Sequence, residues 1–120
     1  MTENMPLMTI RTNASVDDGV VRETLADCSS KLAKLLGKPE SYVMTLFDRV
    51  VGMTMSGTDG PACLVEVRSV GKLTGSQTQA LSETFCTLLS ERLGVPPNRI
   101  FMNFTDFSGA MWGFDGSTFG

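Results

Sequence analysis

The sequence predicts an α+β fold in two layers, built from two β-α-β repeats, with the helices on one face of a mixed four-stranded sheet and short strands at its edges. Three observations predict it. Leu36-Gly37-Lys38-Pro39 recurs about half a chain later as Leu93-Gly94-Val95-Pro96. Each copy ends a segment of helical apolar spacing and stands just before a segment of strand composition, a period too long for a solenoid repeat and suited to two half-domains. A strand-like run also precedes each helix, so strand, helix, strand is spelled twice.

The first strand is read from Pro6 to Thr12, an alternating and β-branched run followed by the turn Asn13-Ala14-Ser15. A helix starts between Ser15 and Asp18, and Val21, Leu25, Cys28, Leu32, Leu35 and Leu36 mark its apolar face. Gly37 ends this helix and Pro39 prevents its continuation. Tyr42 to Phe47 reads as the next strand, Val50 to Met55 as a shorter extended piece, and Gly57 to Pro61 as a turn.

The second half repeats the plan. Ala62 to Val70 is a strand, Gly71 to Ser76 a loop with capping residues, and Ala80, Leu81, Phe85, Leu88, Leu89 and Leu93 the face of a second helix. Arg99 to Phe104 closes it. The tail beyond Thr105 carries Phe107, Trp112, Phe114 and Phe119, too apolar for a disordered end, and is expected to dock, on its own chain or on another subunit. Two helices cover only one face of such a sheet. Met8, Ile10, Val43, Val65, Val67, Ile100 and Met102 are read as apolar side chains on more than one row, so an oligomer is expected to bury the other face.

Composition narrows the function. With 120 residues, 42% hydrophobic and 19% charged, the chain suits one globular domain; residues 1–5 read as an N-terminal extension or initiator segment and 6–120 as the domain. A net charge of -3, with Lys and Arg scattered, disfavours nucleic acid as a partner. No apolar window is long enough to span a membrane, and Met1-Thr2-Glu3-Asn4 lacks the features of a signal peptide, so a cytoplasmic protein is expected, with secretion only by a non-classical route.

Several chemistries fall away. There is no His, hence no Ser-His or Cys-His nucleophile pair. Cys28, Cys63 and Cys86 form neither a C-x-x-C nor a disulfide framework and read as small hydrophobes. No zinc or calcium spacing occurs, and neither a metal nor a cofactor is expected. Gly71-Lys72 would need Gly at position 66 and Ser or Thr at 73 to be a phosphate loop, where the chain has Glu66 and Leu73.

Met5-Pro6, Thr12-Asn13, Gly37-Lys38-Pro39, Ser69-Val70-Gly71-Lys72, Glu91-Arg92-Leu93, Pro97-Asn98-Arg99-Ile100, Asn103 and Ser117-Thr118-Phe119 keep their order along nearly the whole chain. Together they resemble the macrophage migration inhibitory factor family of the tautomerase superfamily. Taken singly, a Pro opening a strand, a Lys after a helix-ending Gly and an Asn in a strand each have an ordinary structural role; their joint order makes them candidates.

The resemblance implies a MIF-like fold, a homotrimer with sites between subunits, and keto-enol tautomerisation of aromatic α-keto acids of the phenylpyruvate or dopachrome type. Pro6 would be the catalytic base. A first-residue proline is a secondary amine, and an apolar pocket disfavours its cation, lowering its pKa from the usual α-amino range of about 7.7–8.0. The neutral amine then takes a proton from carbon beside a carbonyl and returns it. Lys38 would pair with the substrate carboxylate and steady the enolate, the Val70 backbone N–H would be a second donor, and Asn103 of a neighbouring chain would bind the distal polar group. Met8, Tyr42, Phe101 and Phe114 are the expected pocket walls.

Three features qualify this chain. Phe101 stands where the family usually has Tyr, removing a hydroxyl. Ala62-Cys63-Leu64-Val65 replaces the vertebrate cytokine's C-x-x-C, so its thiol-redox activity is expected to be absent. With Met1 to Asn4 attached, Pro6 is a tertiary amide without a basic lone pair; processing, or a start at Met5 followed by methionine removal, frees it. A blocked proline favours the alternative implied by the same family, a non-catalytic trimer that binds a protein receptor in the manner of a cytokine.

Overall fold

The computed structural model describes residues 5–120, so the extension Met1 to Asn4 lies outside the described residues. Six strands and two long helices follow one another as β1 (Leu7–Thr12), α1 (Asp18–Leu36), β2 (Met44–Arg49), β3 (Cys63–Val70), α2 (Gly75–Leu93), β4 (Ile100–Phe107), β5 (Gly113–Phe114) and β6 (Ser117–Thr118). The first four strands form a mixed sheet in the order β2-β1-β3-β4. β1 runs parallel to β2 and β3 parallel to β4, each pair joined by its helix, while β1 and β3 are antiparallel at the centre. The expected two-layer α+β fold is therefore present, with both helices on one face.

Local chemistry sets the helix ends. Asp17 caps α1 by accepting from the Val20 N–H at 2.9 Å, and Gly37 closes it in the left-handed conformation. There Lys38 N–H donates to Ala33 C=O at 2.9 Å and Gly37 N–H to Lys34 C=O at 3.2 Å, the paired bonds of a Schellman motif. Thr74 and Gln77 form a reciprocal capping box at the start of α2, and Gly94 ends it as Gly37 ends α1. The repeated Leu-Gly-x-Pro phrase is thus a helix stop used twice.

The strand register corrects one expectation. Met8, Ile10, Val65, Val67, Ile100 and Met102 all point toward the helices, as does Val43 just before β2, and they share one core with Cys28, Leu32, Leu81, Phe85 and Leu89. Period-2 alternation puts all of these side chains on one side, so they are not the apolar residues of the second face. That face carries Leu7, Met44, Leu46, Leu64 and Phe101 among Thr9, Arg11, Asp48, Glu66, Arg68 and Asn103. Met44 and Phe101 are each 62% exposed there. Complete burial of Phe85, Met8, Leu32, Leu81 and Leu89 contributes roughly 1.5–3 kcal/mol per side chain.

Other boundaries shift locally. Tyr42 belongs to a 3-10 turn over Glu40–Tyr42, and the strand begins at Met44, because Pro39 starts a turn closed by Val43 N–H to Glu40 C=O at 3.0 Å. The piece from Val50 to Met55 adds no strand to the sheet; Met55 bridges only to Thr58. The last strand of the sheet continues past Phe104 to Phe107. The short strands β5 and β6 pair with each other as a separate hairpin rather than lengthening the sheet.

Asn13 and Arg99 hold the long connection between β2 and β3. The Asn13 amide accepts from Ala62 N–H at 2.9 Å and donates to the Asp59 and Gly60 carbonyls at 3.2 Å. The Arg99 guanidinium donates to the carbonyls of Met55, Thr58, Gly60 and Pro61 at 2.8–3.3 Å. A planar fork reaches several acceptors that an ammonium cannot serve together. Arg99→Ala is expected to cost about 1–3 kcal/mol in chemical denaturation, with faster hydrogen exchange around 55–61, and Arg99→Lys to recover little of it.

Burial pushes the Cys28 and Cys63 thiols up to about 12; Asp27 adds to the rise at Cys28 and the Cys86 thiol to that at Cys63. An unfolded thiol ionises near 8.5. The raised folded value makes the native state the tighter proton binder, so this stability is fully present below about pH 8.5 and is lost as pH rises through 12. Each thiol then removes roughly 1.4 kcal/mol per pH unit between those limits. Urea midpoints measured from pH 8 to 11 should fall less steeply in a Cys28→Ala, Cys63→Ala double variant than in the parent chain, and equal slopes would refute the assignment.

Candidate functional site

Proline lacks an N–H, so Pro6 fits only where β1 needs no ladder donor from it. It stands one residue before β1, and its carbonyl accepts from Met44 N–H at 3.0 Å. Its ring is fully buried. β1 is an interior strand, with β2 on one side and β3 on the other, which makes its entrance a recess between two neighbours.

That recess opens into a cleft of about 220 Å³ lined by Met5, Pro6, Tyr42, Met44, Trp112 and Phe114 with adjoining backbone. Tyr42 is brought there by the 3-10 turn that follows the Schellman cap, its own N–H donating to Pro39 C=O at 3.1 Å. Trp112 and Phe114 are brought by the tail. Asp115 and Gly116 form the two-residue turn of the β5–β6 hairpin, both with positive φ, 53° and 82°, as a type I′ turn requires. Phe119 N–H donates to Gly109 C=O at 3.0 Å and to Trp112 C=O at 3.3 Å, closing the tail on itself. At Gly109 a Cβ would meet the Phe119 backbone oxygen at 2.7 Å, so only glycine permits this approach. Phe114 lies nearly parallel to Phe119 with ring centroids 6.1 Å apart, and Phe107 meets Trp112 edge-on at 5.4 Å. The tail therefore folds back on itself and meets the end of β4 through the Phe107–Trp112 pair, with Phe114 left half-exposed.

Pro6, Tyr42 and Phe114 thus line one cleft. Lys38 sits on the capped turn four residues before Tyr42, half-buried and outside the lining. Val70 is buried at the end of β3. Continuing the β1–β3 register past Leu7 and Arg68 sets Pro6 opposite Ser69 and Met5 opposite Val70, so Val70 lies at the same end of the sheet. Ser69 donates from its hydroxyl to Val70 C=O at 3.4 Å.

The remaining candidates lie elsewhere. Met8 is wholly inaccessible within the core, its side chain facing the helices because it is one residue removed from Leu7, so it is not a wall of this cleft. Asn103 and Phe101 occupy the second sheet face on edge strand β4, two strands and roughly 10 Å from β1. Asn103 pairs in register with Glu66 and is exposed; Phe101 lines a smaller apolar cleft of about 190 Å³ with Met53, Met55, Cys63 and Leu64. Within one chain neither reaches Pro6. Sequence reasoning missed Trp112 as a cleft residue. Its signal was the aromatic content of the tail, which announces docking but not its place.

Arg11 bridges Glu66 and Asp48 on the second face, and Arg68 lies 3.7 Å from the same Glu66. Its charges are therefore mutually paired, leaving apolar Leu46, Met44 and Phe101 as the unpartnered part. Among the described residues no group of three His, Cys, Asp or Glu side chains is arranged to hold a metal ion, and no helix is long and apolar enough to cross a membrane.

Comparison with known proteins agrees with this architecture. The family model for macrophage migration inhibitory factor (MIF) matches residues 5–120. Macrophage migration inhibitory factor of Mus musculus is 37% identical over 118 residues, spanning 96% of this chain and 99% of the mouse protein. The crystal structure of a homologue from Prochlorococcus marinus superposes with a TM-score of 0.89 at 46% identity, covering 95% of this chain and 99% of the homologue. The Toxoplasma gondii protein superposes with a TM-score of 0.90 at 29% identity, over 94% of this chain and 99% of its own. A match along the whole described domain, carried by the same two-repeat sheet and closed tail, means that this chain belongs to the macrophage migration inhibitory factor family.

Proposed function

We propose that the chain is a keto-enol tautomerase acting on aromatic α-keto acids of the phenylpyruvate type once Pro6 is its first residue. The observation that carries this reading is the cleft around the buried Pro6 ring, walled by Tyr42, Trp112 and Phe114. An aromatic lining suits an aromatic substrate. Burial disfavours an ammonium, which keeps a secondary amine neutral and basic toward carbon.

In this reading Pro6 nitrogen removes a proton from the carbon beside the ketone, the C–H electrons become the C=C bond as the C=O π electrons move to oxygen, and the ammonium formed on Pro6 gives its proton to that oxygen, leaving the enol and the free amine; ketonisation runs the same transfers backwards. The Lys38 ammonium pairs with the substrate carboxylate, and the Val70 N–H donates to the acid. Each favours the negative charge that grows as the proton leaves. The protein works as a homotrimer, in which the second sheet face is covered and Asn103 and Phe101 of one copy meet the Pro6 cleft of the next. Exposed Met44 and Phe101 support covering that face by other copies. With Phe101 in the family's usual Tyr position, one hydroxyl contact to substrate is absent, which directs the site to less polar ligands.

Chains purified to begin at Pro6 should interconvert enol and keto phenylpyruvate, and Pro6→Gly should lose about a hundredfold or more of kcat/KM. Lys38→Ala should lower kcat as well as raise KM, because the ammonium both holds the carboxylate and favours the growing charge, and sedimentation should give three copies. A Pro6 start established by intact mass, together with no turnover above the Pro6→Gly level, refutes the reading.

A further inference from the structure

We infer that Glu66 is the charge that lets the second sheet face be buried against other copies of this chain, because it neutralises Arg11 and Arg68 within each copy; the inference rests on the proposed covering of that face and takes nothing from the tautomerase reaction. Strand register lays one connected chain of charges across the face. Asp48 on β2 stands beside Arg11 on β1, and Glu66 and Arg68 point outward from β3 two residues apart. Arg11 Nη1 donates to Glu66 Oε1 at 2.5 Å, and its Nε lies 3.5 Å from Asp48 Oδ2. Arg68 Nη2 lies 3.7 Å from Glu66 Oε2. Each oxygen of Glu66 therefore faces a different guanidinium.

Glu66 is the centre of this chain. At 20% its side chain is the least exposed of the four, and its register partners Thr9 and Asn103 carry no charge that could replace it. No other charged residue holds an outward position on β1 to β4. Two cations and two anions thus cancel within one copy.

The apolar residues are interleaved with these charges. Leu64 stands two residues before Glu66 and is in register with Phe101, while Met44 and Leu46 precede Asp48 on β2. Covering that apolar surface covers the charges with it. In water such pairs contribute little, but once water is displaced a charge without its partner strongly opposes burial. A cyclic assembly repeats in every subunit whatever charge the face carries, so an unbalanced guanidinium is presented once per copy. A foreign ionic partner finds no unpaired charge here. Another copy of the same neutralised, partly apolar face is the occupant that fits.

The test is sedimentation equilibrium over a concentration series for the full chain and its Glu66→Gln, Arg68→Gln and double variants, with circular dichroism confirming that each is folded. Glu66→Gln keeps the side-chain shape and leaves Arg68 unpaired. We expect the midpoint concentration of assembly to rise about tenfold or more in Glu66→Gln. The double variant removes one charge of each sign and should return to within about threefold of the parent, a recovery that lost packing at Glu66 would not give. Assembly of Glu66→Gln as tight as the parent, or of the double variant no tighter than Glu66→Gln, overturns the inference. If Glu66→Gln does not fold, Arg68→Gln decides: it leaves one negative charge in excess, should raise the midpoint about threefold or more, and overturns the inference if it assembles like the parent.

The parent separates this inference from the reading beneath it. Three copies with no response to the substitutions keep the trimer and lose the role of Glu66. Another number of copies with the expected response does the reverse, and a parent that stays single throughout the series overturns both.

Discussion

The antiparallel pairing of β1 with β3 is the constraint on which the rest depends, because it is the one ladder that joins the two β-α-β halves. It makes β1 an interior strand. It also aligns the two helix crossovers so that both cover the same face, where Met8 and Ile10 meet Val67 and Val65 and the helices bury Cys28, Leu32, Phe85 and Leu89 over them. A shift of one residue in this register would pair Met8 with Arg68 and Ile10 with Glu66, so that either Leu7 and Arg11 or Glu66 and Arg68 would turn under the helices. Register therefore decides the core and the second face together.

The site follows from the same pairing. An interior strand needs its N–H groups, so a proline is tolerated only at its entrance, and the entrance lies between two neighbouring strands rather than at an open edge. The ring there is buried without any special pocket having to be built. What converts a recess into an aromatic cleft is supplied by two local devices. A Schellman cap and the turn after it hold Tyr42, and a closed tail with a type I′ hairpin holds Trp112 and Phe114. Both are rigid because their backbone groups are hydrogen-bonded.

The second sheet face is governed by a different balance. Its charged residues satisfy one another through Arg11, Asp48, Glu66 and Arg68, so no net charge is left to attract an ionic partner. The exposed Leu46, Met44 and Phe101 remain, and burying apolar surface is favourable at roughly 25 cal/mol per Å². Among the described residues no helix or further strand lies over them.

Much of this was legible in the residues. The doubled Leu-Gly-x-Pro phrase gave two helix stops, the i, i+3, i+4 spacing of Leu25, Cys28 and Leu32 gave a helix face, and separated motifs from Met5 to Phe119 gave the family. These are local signals, set by capping chemistry and side-chain period, and a sequence carries them directly. Which face Met8 and Val65 take, that Met8 packs the core instead of touching a ligand, that Asn103 and Phe101 stand two strands from Pro6 within a chain, and that Trp112 closes the cleft were decided only in three dimensions. Strand order, register and tail docking join residues distant along the chain, and their energies depend on burial and hydrogen bonding that exist only after the halves have come together.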